Sequence, residues 1–263
     1  KTAVIEREAL GGICLNWGCI PTKALLKSAN VFEYINHAED YGIQVNAPSV
    51  DFTGMVNRSR GVADGMSNGV QFLMKKNKID VIMGNGRLLA GKQVEVSAED
   101  GTKQTVSADH IIIATGARSR HLPSLPQDGK NIIGYREAMT LKTQPKRMVV
   151  VGSGAIGVEF AYFYNAIGTE VTVVEYQDRI VPVEDTDVSK QLEKSFKKAG
   201  IKVMTSSEVL GVDTSSKENV VRIKTKKGEE TIACDVVLSA AGVVANIENI
   251  GLEEVGIVVD NGK

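Results

Sequence analysis

Arg147-Met148-Val149-Val150-Val151, followed at once by Gly152-Ser153-Gly154-Ala155-Ile156-Gly157, carries the clearest structural signature in the chain. The first five residues predict a buried strand. The glycine turn opens a helical run over 158–167 that ends at Gly168, and Glu170-Val171-Thr172-Val173-Val174 predicts a second strand closing on Glu175. A G-x-G-x-x-G pattern alone is weak evidence, because glycine turns have many uses. Between a strand and a helix, with an acid at the end of the next strand, it is the arrangement a dinucleotide requires. The glycines let the backbone approach a pyrophosphate at a helix N-terminus, and Glu175 can accept hydrogen bonds from a ribose 2′-hydroxyl. A carboxylate there repels a 2′-phosphate. NAD is therefore expected over NADP, with Arg179 nearby as the one opposing feature.

An internal echo extends the pattern. Residues 105–116 (TVSADHIIIATG) match residues 231–242 (TIACDVVLSAAG) in their Thr, Asp, Ala and Gly positions and in their apolar core. Lys1-Thr2-Ala3-Val4-Ile5-Glu6 likewise resembles the strand that ends at Glu175. The expected fold is α/β, with two Rossmann-like units, each carrying an added antiparallel β element. The first unit is expected to be incomplete, since the strand, glycine turn and helix that would come before Lys1 are not in the sequence.

Upstream, Cys14 and Cys19 stand five positions apart where a helix is about to begin. Two sulfurs that close can form and break a disulfide in place. Pro21 suits a first helical turn, and a helix N-terminus favours negative charge and hence a thiolate. Three cysteines in 263 residues are too few for a structural disulfide framework. A zinc site needs about four ligands, and Cys234, His37, His110 and His121 show no ligand spacing. Iron–sulfur clusters require further cysteines. Two inert buried thiols are the alternative to a reactive pair.

Composition sets the frame. The chain is long enough for two domains, with 43% hydrophobic and 24% charged residues, as in ordinary globular proteins. A net charge of −1 gives no electrostatic reason to expect nucleic acid or an anionic membrane as partner. No apolar run has transmembrane length and no signal-peptide pattern opens the chain, so the cytoplasm is the expected compartment.

Elsewhere, Phe52–Lys76 predicts a helix despite four internal glycines. Residues 80–83, 92–98 and 103–106 predict short strands, the last two joined by a turn at Glu99-Asp100-Gly101. Leu122-Pro123-Ser124-Leu125-Pro126 reads as a crossing between domains. Residues 187–199 predict an amphipathic helix with a solvated charged face, and 201–204, 207–213 and 220–225 predict further strands. Gly86 to Lys92 imitates a P-loop. Gln93 stands where a Ser or Thr must hold magnesium, and an alternating strand follows instead of a helix, so it is read as a decoy.

The segment 11–29, GGICLNWGCIPTKALLKSA, resembles the redox-disulfide segment of the dihydrolipoamide dehydrogenases. These lie within the pyridine-nucleotide disulfide oxidoreductases, beside the glutathione and mercuric reductases. The resemblance covers nearly the whole chain, through Ala114-Thr115-Gly116, the Gly152 to Gly157 turn and the segment around Gly242. It implies a redox-active Cys14–Cys19 disulfide, with Cys14 as interchange thiol and Cys19 as charge-transfer thiolate against a flavin. Lys23 would approach the reactive edge of the isoalloxazine, and Glu159 would pair with that lysine across the nicotinamide site. Glu6 and Gly116 would contact FAD; Gly152, Gly154, Gly157 and Glu175 would contact NAD. Gly12, Lys23, Ala114, Thr115, Ala155, Ile156 and Gly242 complete the implied cofactor-binding set.

The resemblance also implies domains: 1–118 as a partial FAD-binding domain, 119–242 as the NAD-binding domain, and 243–263 as a return to the FAD or central domain. It implies a homodimer in the intact enzyme and, as partner, a lipoyl domain of a 2-oxo acid dehydrogenase or glycine cleavage complex. Three family features are not found: the upstream glycine turn for FAD, a downstream Gly-Asp, and a His-Glu catalytic base. Val243-Val244-Ala245-Asn246 also stands where the family has an arginine and a proline. The chain therefore reads as a piece of a longer enzyme, expected to be inactive alone because it lacks the catalytic base. The alternatives are a related NAD(P)H-dependent disulfide or mercuric reductase, or a non-catalytic nucleotide-binding piece.

Overall fold

The computed structural model describes residues 1–262 of the 263-residue chain. Contacts divide the chain into two units. The first comprises Lys1–Gly18, Val62–Arg118 and the residues from Val243 onward; the second comprises Cys19–Gly61 and Ser119–Gly242.

The second unit is built on a five-stranded sheet in the order Lys202–Met204, Glu170–Val174, Arg147–Val151, Val236–Ser239, Ile132–Ile133. Every pairing is parallel, with Val151 in register with both Val174 and Ser239. Parallel strands are covered on both faces and so read as continuous apolar runs. Met148, Val149 and Val150 are accordingly at most 1% exposed. Val149, Val151 and Val237 share one core with Leu125, Val221, Ile223 and Cys234. An antiparallel sheet of Glu208–Asp213, Asn219–Thr225 and Gly228–Cys234 supplies the last three of those residues. Helix Ala155–Ala166 contributes buried Phe160, Phe163 and Tyr164, each worth roughly 1.5–3 kcal/mol of burial for a large apolar side chain.

From Arg147–Val151 the chain adds strands outward on one side and returns to the other side as Val236–Ser239. A crevice opens beyond the carboxyl ends of strands at such a reversal, and it is where ligands bind in open α/β sheets. The Gly152 turn lies at that point.

Helix Cys19–Asn36 packs against helix Ala155–Ala166 within the same unit. Asp51 caps the helix Phe52–Lys76, its Oδ1 accepting the Gly54 N–H at 2.8 Å. The portion of that helix up to Gly61 belongs to the second unit. There the Arg58 guanidinium donates to Ala24 O at 2.8 Å and the Ser59 hydroxyl to Pro21 O at 2.9 Å.

In the first unit, Ala3–Glu6 pairs in parallel with Asp80–Met83. Beside them lies an antiparallel sheet of Asn85–Leu89, Gln93–Ser97 and Lys103–Ser107. Each unit thus carries its antiparallel element.

Two expectations change. Asn85–Leu89, inside the P-loop imitation, is a full strand, because the hairpin closed by Gly91 and Lys92, both at positive φ, gives it a partner in Gln93–Ser97. Ile111, Ile112 and Ile113 do not repeat the buried strand Val236–Ser239. They are 37%, 90% and 41% exposed and join no ladder among the described residues, because the neighbouring parallel sheet has only two strands. Leu125, within the 122–126 segment, is fully buried. Residues 19–61 cluster with 119–242, with the two helices packed together.

Candidate functional site

Backbone crowding enforces the glycines of the 152–157 turn. Gly152 has φ +99°, and a Cβ there would lie 2.5 Å from Ala240 O; a Cβ on Gly157 would lie 2.0 Å from Gly152 O. Gly154 differs, because nothing stands within 4 Å of where its Cβ would be. It caps helix Ala155–Ala166, whose first turn has no acidic residue. Open space before an unblocked helix N-terminus, with exposed Ala155 and half-buried Ile156 beside it, fits a pyrophosphate approached by backbone N–H groups.

Glu175 stands beside this turn and is only 7% exposed. Its Oε2 accepts the Ser153 N–H at 2.8 Å and the Ser153 hydroxyl at 2.6 Å. Its Oε1 accepts the Gln177 N–H at 2.8 Å. The acid expected to face a ribose therefore also holds the glycine turn, a role the sequence pattern does not disclose. Arg179 turns to the backbone, donating to Pro182 O at 3.0 Å.

Cys19 is the exposed first residue of helix Cys19–Asn36, and Lys23 follows four residues later on the same face. Lys23 Nζ lies 2.5 Å from Glu159 Oε1, so the helix that begins at Cys19 is joined to the helix that follows the glycine turn. Further along, the Tyr162 hydroxyl donates to Glu33 Oε2. Burial and then that carboxylate push the Tyr162 phenol up to about 12. Neither Glu33 nor Tyr162 carries a local motif, so only the packing of the helices reveals them.

In the first unit, Cys14 is exposed on the short helix Gly12–Trp17. The approach to that helix is shaped by buried Asn16, whose amide donates to Leu10 O at 3.0 Å and Gly12 O at 2.9 Å. The Ser67 hydroxyl adds a third bond, to Leu10 O at 3.1 Å. Gly12 itself has φ +70° and open space at its Cβ position. Glu6 ends its strand half-buried, with Oε1 accepting the Glu8 N–H at 2.8 Å. Glu6 and Gly12 thus present a half-buried carboxylate and an open backbone; no second turn of the Gly152–Gly157 kind occurs among the described residues of this unit.

Ala114, Thr115 and Gly116 form an exposed, irregular stretch tied to the segment after Val243. The Asn246 side-chain amide donates to Thr115 O at 3.1 Å, and its backbone N–H to Gly116 O at 2.9 Å. Arg118 grips Glu248 through two bonds, at 2.7 and 3.0 Å, and also reaches Ala245 O and Asn246 Oδ1. A guanidinium thus comes to the Val243–Asn246 segment from Arg118, a partner sequence reading did not single out. The Arg118 hydrogen bond holds the Glu248 carboxyl down at about 2.

In the second unit, Gly242 is exposed at φ +102°. Cys234 is 1% exposed, and burial pushes its thiol up to about 11, which suits an inert core residue. Among the described residues no group of three or more His, Cys, Asp or Glu could hold a metal ion. No helix among them is long and apolar enough to cross a membrane.

Residues 1–263 match the family model described as pyridine nucleotide-disulphide oxidoreductase. The chain is 44% identical over 263 residues to the dihydrolipoyl dehydrogenase of Zymomonas mobilis, covering all of this chain and 56% of that protein. It is 45% identical over 278 residues to the dihydrolipoyl dehydrogenase of Rhizobium etli, covering 58% of it. The crystal structure of LpdA from Mycobacterium tuberculosis superimposes with a TM-score of 0.91 at 29% identity, over all of this chain and 57% of that one. The chain thus spans a little over half the length of the relatives it matches.

Proposed function

Because the chain belongs to the pyridine nucleotide-disulphide oxidoreductases, we propose that it acts in the oxidation of dihydrolipoamide by NAD+, with Cys14 and Cys19 as the redox pair and FAD as cofactor. The observation that carries this reading is the Lys23–Glu159 contact, which joins the helix beginning at Cys19 to the helix of the nucleotide turn. The names of the relatives support the substrate class.

Exchange at sulfur needs a thiolate at each step. One substrate thiolate attacks Cys14 Sγ; the Cys14–Cys19 bond breaks, and its electron pair leaves on Cys19. The second substrate thiolate attacks the substrate sulfur of the mixed disulfide, expelling Cys14 as a thiolate and closing the substrate ring. Substrate loses two electrons, which the cysteine pair holds, and two protons, which pass to solvent water as its thiols ionise. When bound, FAD supplies the two-electron link from the reduced pair to NAD+. The residues that would hold FAD are Glu6, Gly12, Lys23, Ala114, Thr115, Gly116 and Gly242. NAD+ would lie on Gly152, Gly154, Ala155, Ile156, Gly157 and Glu175. Lys23 places its charge near Cys19, and Glu159 orients Lys23.

The same reading makes the partner a lipoyl domain of a 2-oxo acid dehydrogenase or glycine cleavage complex, the working form a homodimer and the compartment the cytoplasm. The test is NADH formation from dihydrolipoamide and NAD+ by the full-length, flavin-loaded enzyme that contains these residues. Turnover is expected. No turnover, together with NADPH-driven reduction of another disulfide or of mercuric ion, would overturn the substrate assignment in favour of a related reductase.

A further inference from the structure

Ser153 occupies the second position of the glycine turn, and its side chain is fully buried. Its N–H and its hydroxyl both donate to one oxygen of Glu175, at 2.8 and 2.6 Å. The hydroxyl in turn accepts the Val181 N–H at 3.2 Å, and the Ser153 carbonyl accepts the same N–H at 3.1 Å. Ser153 thus links three pieces of the second unit: the glycine turn, the end of strand Glu170–Val174, and the loop from Gln177 to Val181.

We propose that Ser153 is a positioning residue for cofactor choice, fixing the Glu175 carboxylate so that the site accepts a ribose 2′-hydroxyl and rejects a 2′-phosphate. This rests on the reading of Gly152–Gly157 as the NAD site. A carboxylate on a free side chain can swing away from an incoming phosphate and relieve the repulsion. One held on Oε2 by two donors, and on Oε1 by the Gln177 N–H, cannot move without breaking charge-assisted bonds, which are roughly twice as strong as neutral ones. Ser153 also turns its N–H towards Glu175, leaving the N–H groups later in the turn to meet a pyrophosphate.

Binding of NAD+ and of NADP+ to the protein, measured by titration calorimetry, tests this apart from turnover. In Ser153→Ala the ratio of the NADP+ to the NAD+ dissociation constant is expected to fall about tenfold, because the hydroxyl-to-carboxylate bond is lost. In the Glu175→Ala background the same substitution is expected to leave the ratio unchanged, since Ser153 acts through Glu175. If Ser153→Ala does not fold, Ser153→Cys keeps the size with a weaker donor, and a smaller fall is expected. An unchanged ratio in the folded single variant, or an equal fall in both backgrounds, would overturn the role of Ser153 while leaving the nucleotide site intact. Binding of neither dinucleotide to the parent protein would overturn the site itself.

Discussion

Lys23 Nζ meets Glu159 Oε1 at 2.5 Å across 136 residues of sequence. The pair is well exposed on the lysine side, 59% against 32% for the glutamate, and ion pairs of that exposure contribute no more than about 1 kcal/mol. Its value is positional. Glu159→Gln is expected to unfold within about 1 kcal/mol of the parent while losing roughly ten- to a hundredfold in kcat for NAD+ reduction. Denaturant melts and steady-state kinetics on one preparation check both; a large loss of stability with unchanged kcat would make the pair structural.

Gly154 and Gly157 separate folding from binding within one turn. A Cβ at Gly157 would strike Gly152 O at 2.0 Å, whereas at Gly154 it meets nothing. Gly157→Ala is therefore expected to cost about 1–3 kcal/mol or more of stability. Gly154→Ala is expected to melt like the parent yet bind NAD+ poorly, because the methyl fills the open space proposed for the pyrophosphate. Calorimetric titration beside thermal unfolding distinguishes the two.

Glu248 makes stability depend on acid. Its carboxyl is held at about 2, below the ordinary 4.5, first by the Arg118 hydrogen bond. A lowered folded value stabilises above the ordinary one and is lost as pH falls towards the folded one. Urea melts of the parent and of Glu248→Gln are expected to differ at neutral pH and to converge between about 4.5 and about 2. Curves that stay parallel through that window would show that the Arg118 contact does not form in solution.

The architecture that positions the site was legible where local pattern and tertiary role agree. The strand, glycine turn and helix over 147–166 announce themselves because a buried parallel strand is continuously apolar and the turn needs glycines for backbone reasons. Helix Phe52–Lys76 emerged as expected, its four glycines notwithstanding. Asn85–Leu89 was missed because its strand character comes from pairing with Gln93–Ser97 rather than from its own composition. Ile111 to Ile113 misled for the opposite reason: an apolar run predicts a buried strand, but a strand needs a neighbour to pair with. The roles of Ser153, Glu33, Tyr162 and Arg118 were invisible for a third reason. Each depends on a partner brought near by folding, at separations of 22, 129, 129 and 130 residues, and no local pattern encodes such contacts.

Redox mapping of the cysteines asks whether Cys14 and Cys19 form a reversible disulfide. The protein would be oxidised with lipoamide, alkylated, digested and weighed, then treated again after reduction with dihydrolipoamide. A peptide in which Cys14 and Cys19 are linked is expected after oxidation, and both alkylated after reduction, with buried Cys234 never joined to either. Two separately alkylated cysteines after oxidation, or a bond from either one to Cys234, would contradict that pairing.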